Sequence, residues 1–224
     1  MINVPPENPN YHLLRFRSMS QETLHLAPLL YTKRLTLTLI DFDKKDDEKA
    51  FIELLGTMVA GYMKISAQEA RRNAEETVDF YRSYGRIQPN LLGGQRVDKP
   101  AIWLVRLGAN SPHDQCIGTT YVVQRSLMPD QSWILLPDYQ GMGYATEASN
   151  AGLRYFCDGL GLRDMMAVIA PGSLKSPGVA KRLGYVPVEG GIQYEDGSNL
   201  LLLALPTAMS LPKDLVFRRF DRLE

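Results

Sequence analysis

Cysteine is scarce. The 224 residues hold two, Cys116 and Cys157, and neither belongs to a CxxC pair. That excludes a disulfide framework and suits small core residues of a reduced, cytoplasmic protein. The three histidines, His12, His25 and His113, are scattered, so no His/Cys group has metal-ligand spacing and no metal is expected. An excess of one charge is missing as well. The 25 Lys and Arg balance the 25 Asp and Glu, which gives no overall pull toward nucleic acid. No apolar run approaches the roughly 20 residues of a membrane span. The first ten residues, with three prolines and three asparagines, lack the basic start and apolar core of a signal peptide. Neither membrane nor nucleic-acid partners are therefore expected. What is present is a composition 45% hydrophobic, enough for a globular core, with no internal repeat or low-complexity block.

The elements follow from periodicity. Residues 1–30 read as an N-terminal extension, 31–206 as one domain and 207–224 as a tail carrying Arg218, Arg219 and Arg222. Leu29 to Ile40 alternates leucine with threonine and reads as one half-buried strand. A helix is expected from about Lys45 to Leu55. A turn over 56–65, which holds Tyr62 and Met63, follows. Ser66, three residues before Glu69, caps a second helix running to about Tyr84. Strands are expected at 101–107 and 116–124, with His113 in the turn between them.

Ser132 to Ala148, SWILLPDYQGMGYATEA, organises the rest. A short apolar strand ends at Pro137, and a helical pattern begins near Thr146. Between them Gly141 and Gly143 let the backbone approach a bound group closely. The free N–H groups of a helix's first turn favour an anion there. The spacing fits neither a P-loop nor a dinucleotide fingerprint. The helix is expected to run on to about Leu160. A buried strand over 165–169 and a segment over 170–185 that carries a helix follow it. Then come a short strand over 185–188 and a hairpin turning at Asp196-Gly197. Pro177-Gly178 predicts that the helix of the 170–185 segment is shortened or begins late, since glycine costs about 1 kcal/mol in a helix.

Gln140-x-x-Gly143-x-Ala145 matches the Gln/Arg-x-x-Gly-x-Gly/Ala signature of the GNAT superfamily of acyl-CoA N-acyltransferases. The wider string from Pro137 to Ala148 resembles the branch that includes the ribosomal-protein-alanine N-acetyltransferases. Thr32-Lys-Arg34-Leu35, Ile117-Gly118 and the run from Ser173 to Tyr185 resemble other motifs of that branch. The resemblance spans roughly Tyr31 to Pro206. It implies an α+β, mixed α/β fold: a central, mostly antiparallel sheet flanked by helices, with a cofactor cleft between splayed strands.

By the same resemblance, the activity is direct transfer of an acetyl group from acetyl-CoA to a primary amine. The amine belongs to a protein N-terminus or a small molecule. The backbone of Gln140, Gly141, Met142, Gly143, Tyr144 and Ala145, with the Thr146 hydroxyl, would bind pyrophosphate. Leu135 and Leu136 would flank the pantetheine arm, and a backbone N–H of their strand would polarise the thioester. Ser173 stands where relatives carry an asparagine that contacts that arm. Ser176 is the candidate acid for the leaving thiolate, since the tyrosine many relatives use is Ala180 here. Tyr121 is a second catalytic candidate, and the segment 56–65, with Tyr62 and Met63, would face the acceptor. For the base, a water chain, Glu195 and Asp196 stand open, and Glu147 reads as structural. Non-catalytic acyl-CoA binding is the alternative function. Longer-chain transfer or O-acylation would call for a wide acyl pocket near Trp103 and Trp133. Homodimers are common in the superfamily, and nothing in the sequence specifies an interface.

Overall fold

The structure, a computed structural model, describes residues 23–84, 97–110, 115–123, 129–170, 172–188, 192–194, 199–206 and 216–217. Its described strands form one ten-stranded sheet. They are β1 (Leu29–Tyr31), β2 (Leu35–Leu39), β3 (Ile102–Leu107), β4 (Cys116–Val123), β5 (Asp130–Leu135), β6 (Met166–Ile169), β7 (Val186–Pro187), β8 (Ile192–Tyr194), β9 (Asn199–Ala204) and β10 (Val216–Phe217). They lie in the order β1-β2-β3-β4-β5-β6-β9-β8-β10, and β7 pairs with β9. Pairing is antiparallel except for β5 with β6 and β10 with β8. The architecture is the expected mixed, mostly antiparallel sheet with helices on its faces.

Among the described residues, four α-helices, α1 (Lys45–Met63), α2 (Ala67–Tyr84), α3 (Tyr144–Arg154) and α4 (Ser176–Arg182), cover the sheet. Leu54, Phe51 and Val78 of α1 and α2 meet Ile102, Leu104 and Val123 on one face. Ala148, Leu153 and Val179 of α3 and α4 meet Trp103, Val105 and Leu135 on the other. β3 therefore sends alternate side chains into two separate cores, Trp103 and Val105 into one and Ile102 and Leu104 into the other.

Several elements differ from the sequence expectation. The run from Leu29 to Ile40 is a hairpin, not one strand. The Thr32 hydroxyl accepts the Leu35 N–H at 2.9 Å and folds β2 back on β1. Helix α1 continues two turns past Leu55, so residues 56–63 are helical and no turn lies there. Gly56 does not stop it because it faces α2, where an added Cβ would sit 3.8 Å from the Arg71 backbone. The helix ends where Lys64 turns left-handed. Ser66 caps α2 as expected, its hydroxyl accepting the Glu69 N–H at 3.2 Å.

Helix α3 also departs from its expected course. It widens after Arg154 into a π-helical turn, Tyr155–Gly159, with Leu160 N–H bonding Tyr155 C=O. Tyr155 is held at that point by its ring against Trp103 and its hydroxyl against the Ala27 N–H. The tail contains β10, a strand the sequence did not suggest. His113, Glu195 and the Asp196-Gly197 turn lie outside the described residues, as do the side chains of Tyr62 and Met63.

Candidate active site

β5 and β6 are parallel but pair at one register position, Asp130 with Met166. Beyond that point they diverge, and a cleft of about 970 Å³ opens at their carboxyl ends. Its backbone edge follows from register. Directly after β5, Leu136 N–H bonds Ile117 C=O on β4. Successive strand residues direct their N–H and C=O groups to opposite edges. Trp133 and Leu135 therefore turn theirs away from β4, into the cleft. Leu136 lines the cleft by its side chain alone.

Pro137–Tyr139 then forms one 3₁₀ turn, and the chain enters the glycine loop. Gly141 and Gly143 both have φ of +82°, a region L side chains rarely adopt, which is why glycine stands at both. Gly143 is the N-cap of α3. The N–H groups of Tyr144, Ala145 and Thr146 in the first helical turn have no carbonyl of their own helix to bond. The donors, the positive helix end and the absence of Cβ atoms suit a diphosphate.

The loop is fixed from below by a residue that sequence reasoning left unassigned. Arg34 donates to Glu147 Oε2 at 2.7 Å and to Met142 C=O at 3.1 Å. Its guanidinium lies 4.4 Å over the Tyr144 ring. Glu147 also accepts from the Thr32 hydroxyl at 2.7 Å and the Arg34 N–H at 2.9 Å. Burial pushes the Glu147 carboxyl up, but these bonds and the Arg34 charge together hold it below its ordinary value. Such a carboxylate is committed to the scaffold. The pairing of Arg34 with Glu147 joins two motifs quoted separately from the sequence, and only the fold shows that they meet.

The far wall belongs to α4 and the turn before it. Ser173 donates to Ser176 at 2.8 Å, and both line the cleft. Gln140 does not point outward freely. Its amide donates to Leu135 C=O at 2.9 Å and accepts from Lys175 Nζ at 2.9 Å, bridging the strand end to α4. Arg182 donates to the Thr146 hydroxyl at 3.1 Å. Among the described residues, Lys175 and Arg182 are the charged groups lining the cleft, and sequence reasoning singled out neither as a site residue. Helix α4 has seven residues with Pro177 in its first turn, the short helix the sequence predicts.

The opposite side is built by α1 with β4 and β5. Leu54, Thr57 and Met58 line it together with Tyr121 and Ser132. The Tyr121 ring stands edge-on to Tyr81, with centroids 6.0 Å apart. Of the two tryptophans expected near an acyl pocket, Trp133 lines the cleft. Trp103 does not: it is buried in the core on the α3 face, its indole N–H bonded to Ala27 C=O at 3.0 Å. No group of three or more His, Cys, Asp and Glu able to hold a metal occurs among the described residues. No described helix is long and apolar enough to cross a membrane.

The profile of the acetyltransferase (GNAT) domain matches residues 34–186. An acetyltransferase from Agrobacterium tumefaciens str. C58 is 20% identical, with a TM-score of 0.56 over 83% of this chain and 98% of that one. Ribosomal-protein-S5-alanine acetyltransferase from Vibrio fischeri is 17% identical, with a TM-score of 0.52 over 82% and 99%. Microcin C7 self-immunity acetyltransferase MccE, solved with acetyl-CoA and AMP, is 13% identical, with a TM-score of 0.52 over 77% and 92%. No curated protein matches the chain. The solved structures share its fold, and with most of its length inside the domain match, the chain belongs to the GNAT family of acetyltransferases.

Proposed function

We propose that this protein transfers the acetyl group of acetyl-CoA directly to a primary amine, on a protein N-terminus or a small molecule. The observation that carries the proposal is the open edge of β5, with Trp133 and Leu135 backbone groups turned into a cleft that ends at the glycine loop. An extended amide-bearing arm adds to such an edge as a strand would. Acetyl-CoA supplies an activated thioester carbonyl. The N–H groups of the Gly141–Thr146 segment and the Thr146 hydroxyl hold its diphosphate. Leu135 and Leu136 flank its arm. An N–H of Trp133 or Leu135 polarises the carbonyl as charge builds on oxygen.

Bond making and breaking balance simply. The amine nitrogen bonds the carbonyl carbon, the C–S bond breaks, and a proton lost by the amine is matched by one gained by sulfur. A thiolate leaves readily, so the Ser176 hydroxyl suffices as its proton donor. The Tyr121 hydroxyl, on the acceptor side, is suited to hold the incoming amine. Cys116 and Cys157 are both free thiols, which suits a cytoplasmic setting.

Thermal unfolding with and without acetyl-CoA, followed by thiol release over a panel of amines, tests the proposal. A ligand that binds the folded state alone raises Tm by mass action. Acetyl-CoA is expected to raise Tm, and at least one amine to release thiol. A rise without release on any amine would favour acyl-CoA binding without catalysis. No rise would remove the assignment of the cleft.

A further inference from the structure

The walls of the cleft differ in chemistry. On the glycine-loop side stand Lys175 and Arg182. The opposite wall is the C-terminal half of α1, where Leu54, Thr57, Met58 and Gly61 recur at i, i+3, i+4 and i+7 and so form one stripe facing the cleft. From Leu54 to Met63 the helix carries no charged residue, whereas all six of its charged residues, Lys45–Lys49 and Glu53, lie before that stretch. Tyr121 and Leu136 line the same cleft and pack against the apolar cluster that holds Leu54. Leu54 is buried beneath it, but Met58 is 38% exposed, an apolar thioether left bare inside a concave site. Unbranched and polarizable, methionine adapts its shape to the apolar group set against it.

Resting on the acetyl transfer proposed above, we infer that the acceptor is an amine carrying an apolar group close to its nitrogen, which packs on the Met58 stripe, and is not a polyamine. A polyamine brings several positive charges. Burying them requires paired carboxylates, and the charges lining the described cleft are the two cations. An apolar body instead removes Met58 from water, which is favourable in proportion to the area covered. The same wall also bears on how the nucleophile forms. An ammonium moved against apolar surface loses hydration, so its pKa falls and the neutral amine is favoured. Selection and deprotonation of the acceptor then come from one surface, with the proton passing to water.

The full chain is given acetyl-CoA with three acceptors: phenethylamine, a short peptide amide beginning with phenylalanine, and spermidine. Thiol release is expected with kcat/KM at least tenfold higher for one or both apolar acceptors than for spermidine. Met58→Ala is expected to lower that value roughly tenfold for the apolar acceptor, and Met58→Glu to shift preference toward spermidine. Both variants should keep the acetyl-CoA rise in Tm, which shows a folded, cofactor-binding protein. The two apolar arms distinguish a small amine from a protein N-terminus, and activity on either supports the inference. Equal or better use of spermidine overturns it, as does an apolar preference that survives both substitutions. Absence of release from all three acceptors with the Tm rise intact overturns it too, while leaving the cofactor assignment standing. Loss of the Tm rise in the unsubstituted protein removes both.

Discussion

The hydroxyl of Ser173 donates to that of Ser176 across 2.8 Å at the mouth of the splayed strands. The sequence resemblance sets Ser173 where asparagine is expected, and its shorter side chain is engaged with a neighbour. A hydrogen bond received at Ser176 Oγ stabilises negative charge there and leaves its own proton to be given away. Ser176→Ala is expected to lower kcat by about tenfold to a hundredfold, the low end for a general acid because thiolate leaves readily. Ser173→Ala should give a smaller loss in kcat with little change in KM for acetyl-CoA. The double variant should be no slower than Ser176→Ala alone. A rise in KM at constant kcat for Ser173→Ala would instead make Ser173 a contact to the cofactor arm.

Gly118 fixes the edge from behind. It pairs with Leu135, and a Cβ added there would meet the Ile134 carbonyl oxygen at 2.4 Å and Leu135 Cδ1 at 2.8 Å. Backbone cannot yield as a side-chain tip does. Gly118→Ala should therefore cost about 3 kcal/mol and displace β5. Urea unfolding gives the cost, and acetyl-CoA titration gives the effect on the cleft. An unchanged midpoint together with unchanged affinity would mean that the sheet absorbs the methyl group.

Glu147 makes stability depend on pH in a known direction. Its folded pKa lies below its unfolded value, so the stabilisation is complete above the unfolded value of about 4.3 and is lost as pH falls through the folded one. Glu147→Gln keeps the shape but removes the charge facing Arg34, whose side chain is 43% exposed. A loss of about 1–2 kcal/mol is expected at pH 7. Compared by urea unfolding, the gap between variant and parent should narrow below pH 4. A gap that stays constant with pH would show that the Glu147 charge is not its source.

What the sequence made legible is local. Gly141 and Gly143 adopt left-handed backbone that glycine alone takes easily, and Pro177 stands in a helix's first turn, so each writes its conformation into the chain. Long-range partnerships were not legible. Gln131 is buried because its amide donates to Ser149 C=O and accepts from the Tyr185 hydroxyl, and so the strand begins two residues before the apolar run does. The turn expected over 56–65 is helical instead because Gly56 packs on α2, a neighbour invisible from sequence. The cations of the cleft were missed for the same reason, since Lys175 and Arg182 acquire meaning only beside Gln140 and Thr146.

Those cations give the remaining prediction. Lys175 bonds Gln140, and Arg182 bonds Thr146, each across the rim of the glycine loop. A diphosphate on the loop's N–H groups would lie within the field of both. Lys175→Ala and Arg182→Ala should each raise KM for acetyl-CoA by about threefold to tenfold at low salt, with kcat nearly constant, because a phosphate far from the reacting carbon binds ground and transition states alike. The rim is exposed, so added salt should shrink the difference: at about 1 M the screening length falls to about 3 Å. Arg182 carries a second duty, since its loss also frees the Thr146 hydroxyl. Arg182→Lys separates the two, keeping charge while losing the fixed fork of the guanidinium. If Arg182→Lys restores KM, the charge acts on the diphosphate. If it does not, orientation of Thr146 is what Arg182 contributes. A KM indifferent to salt in all three variants would remove the electrostatic account.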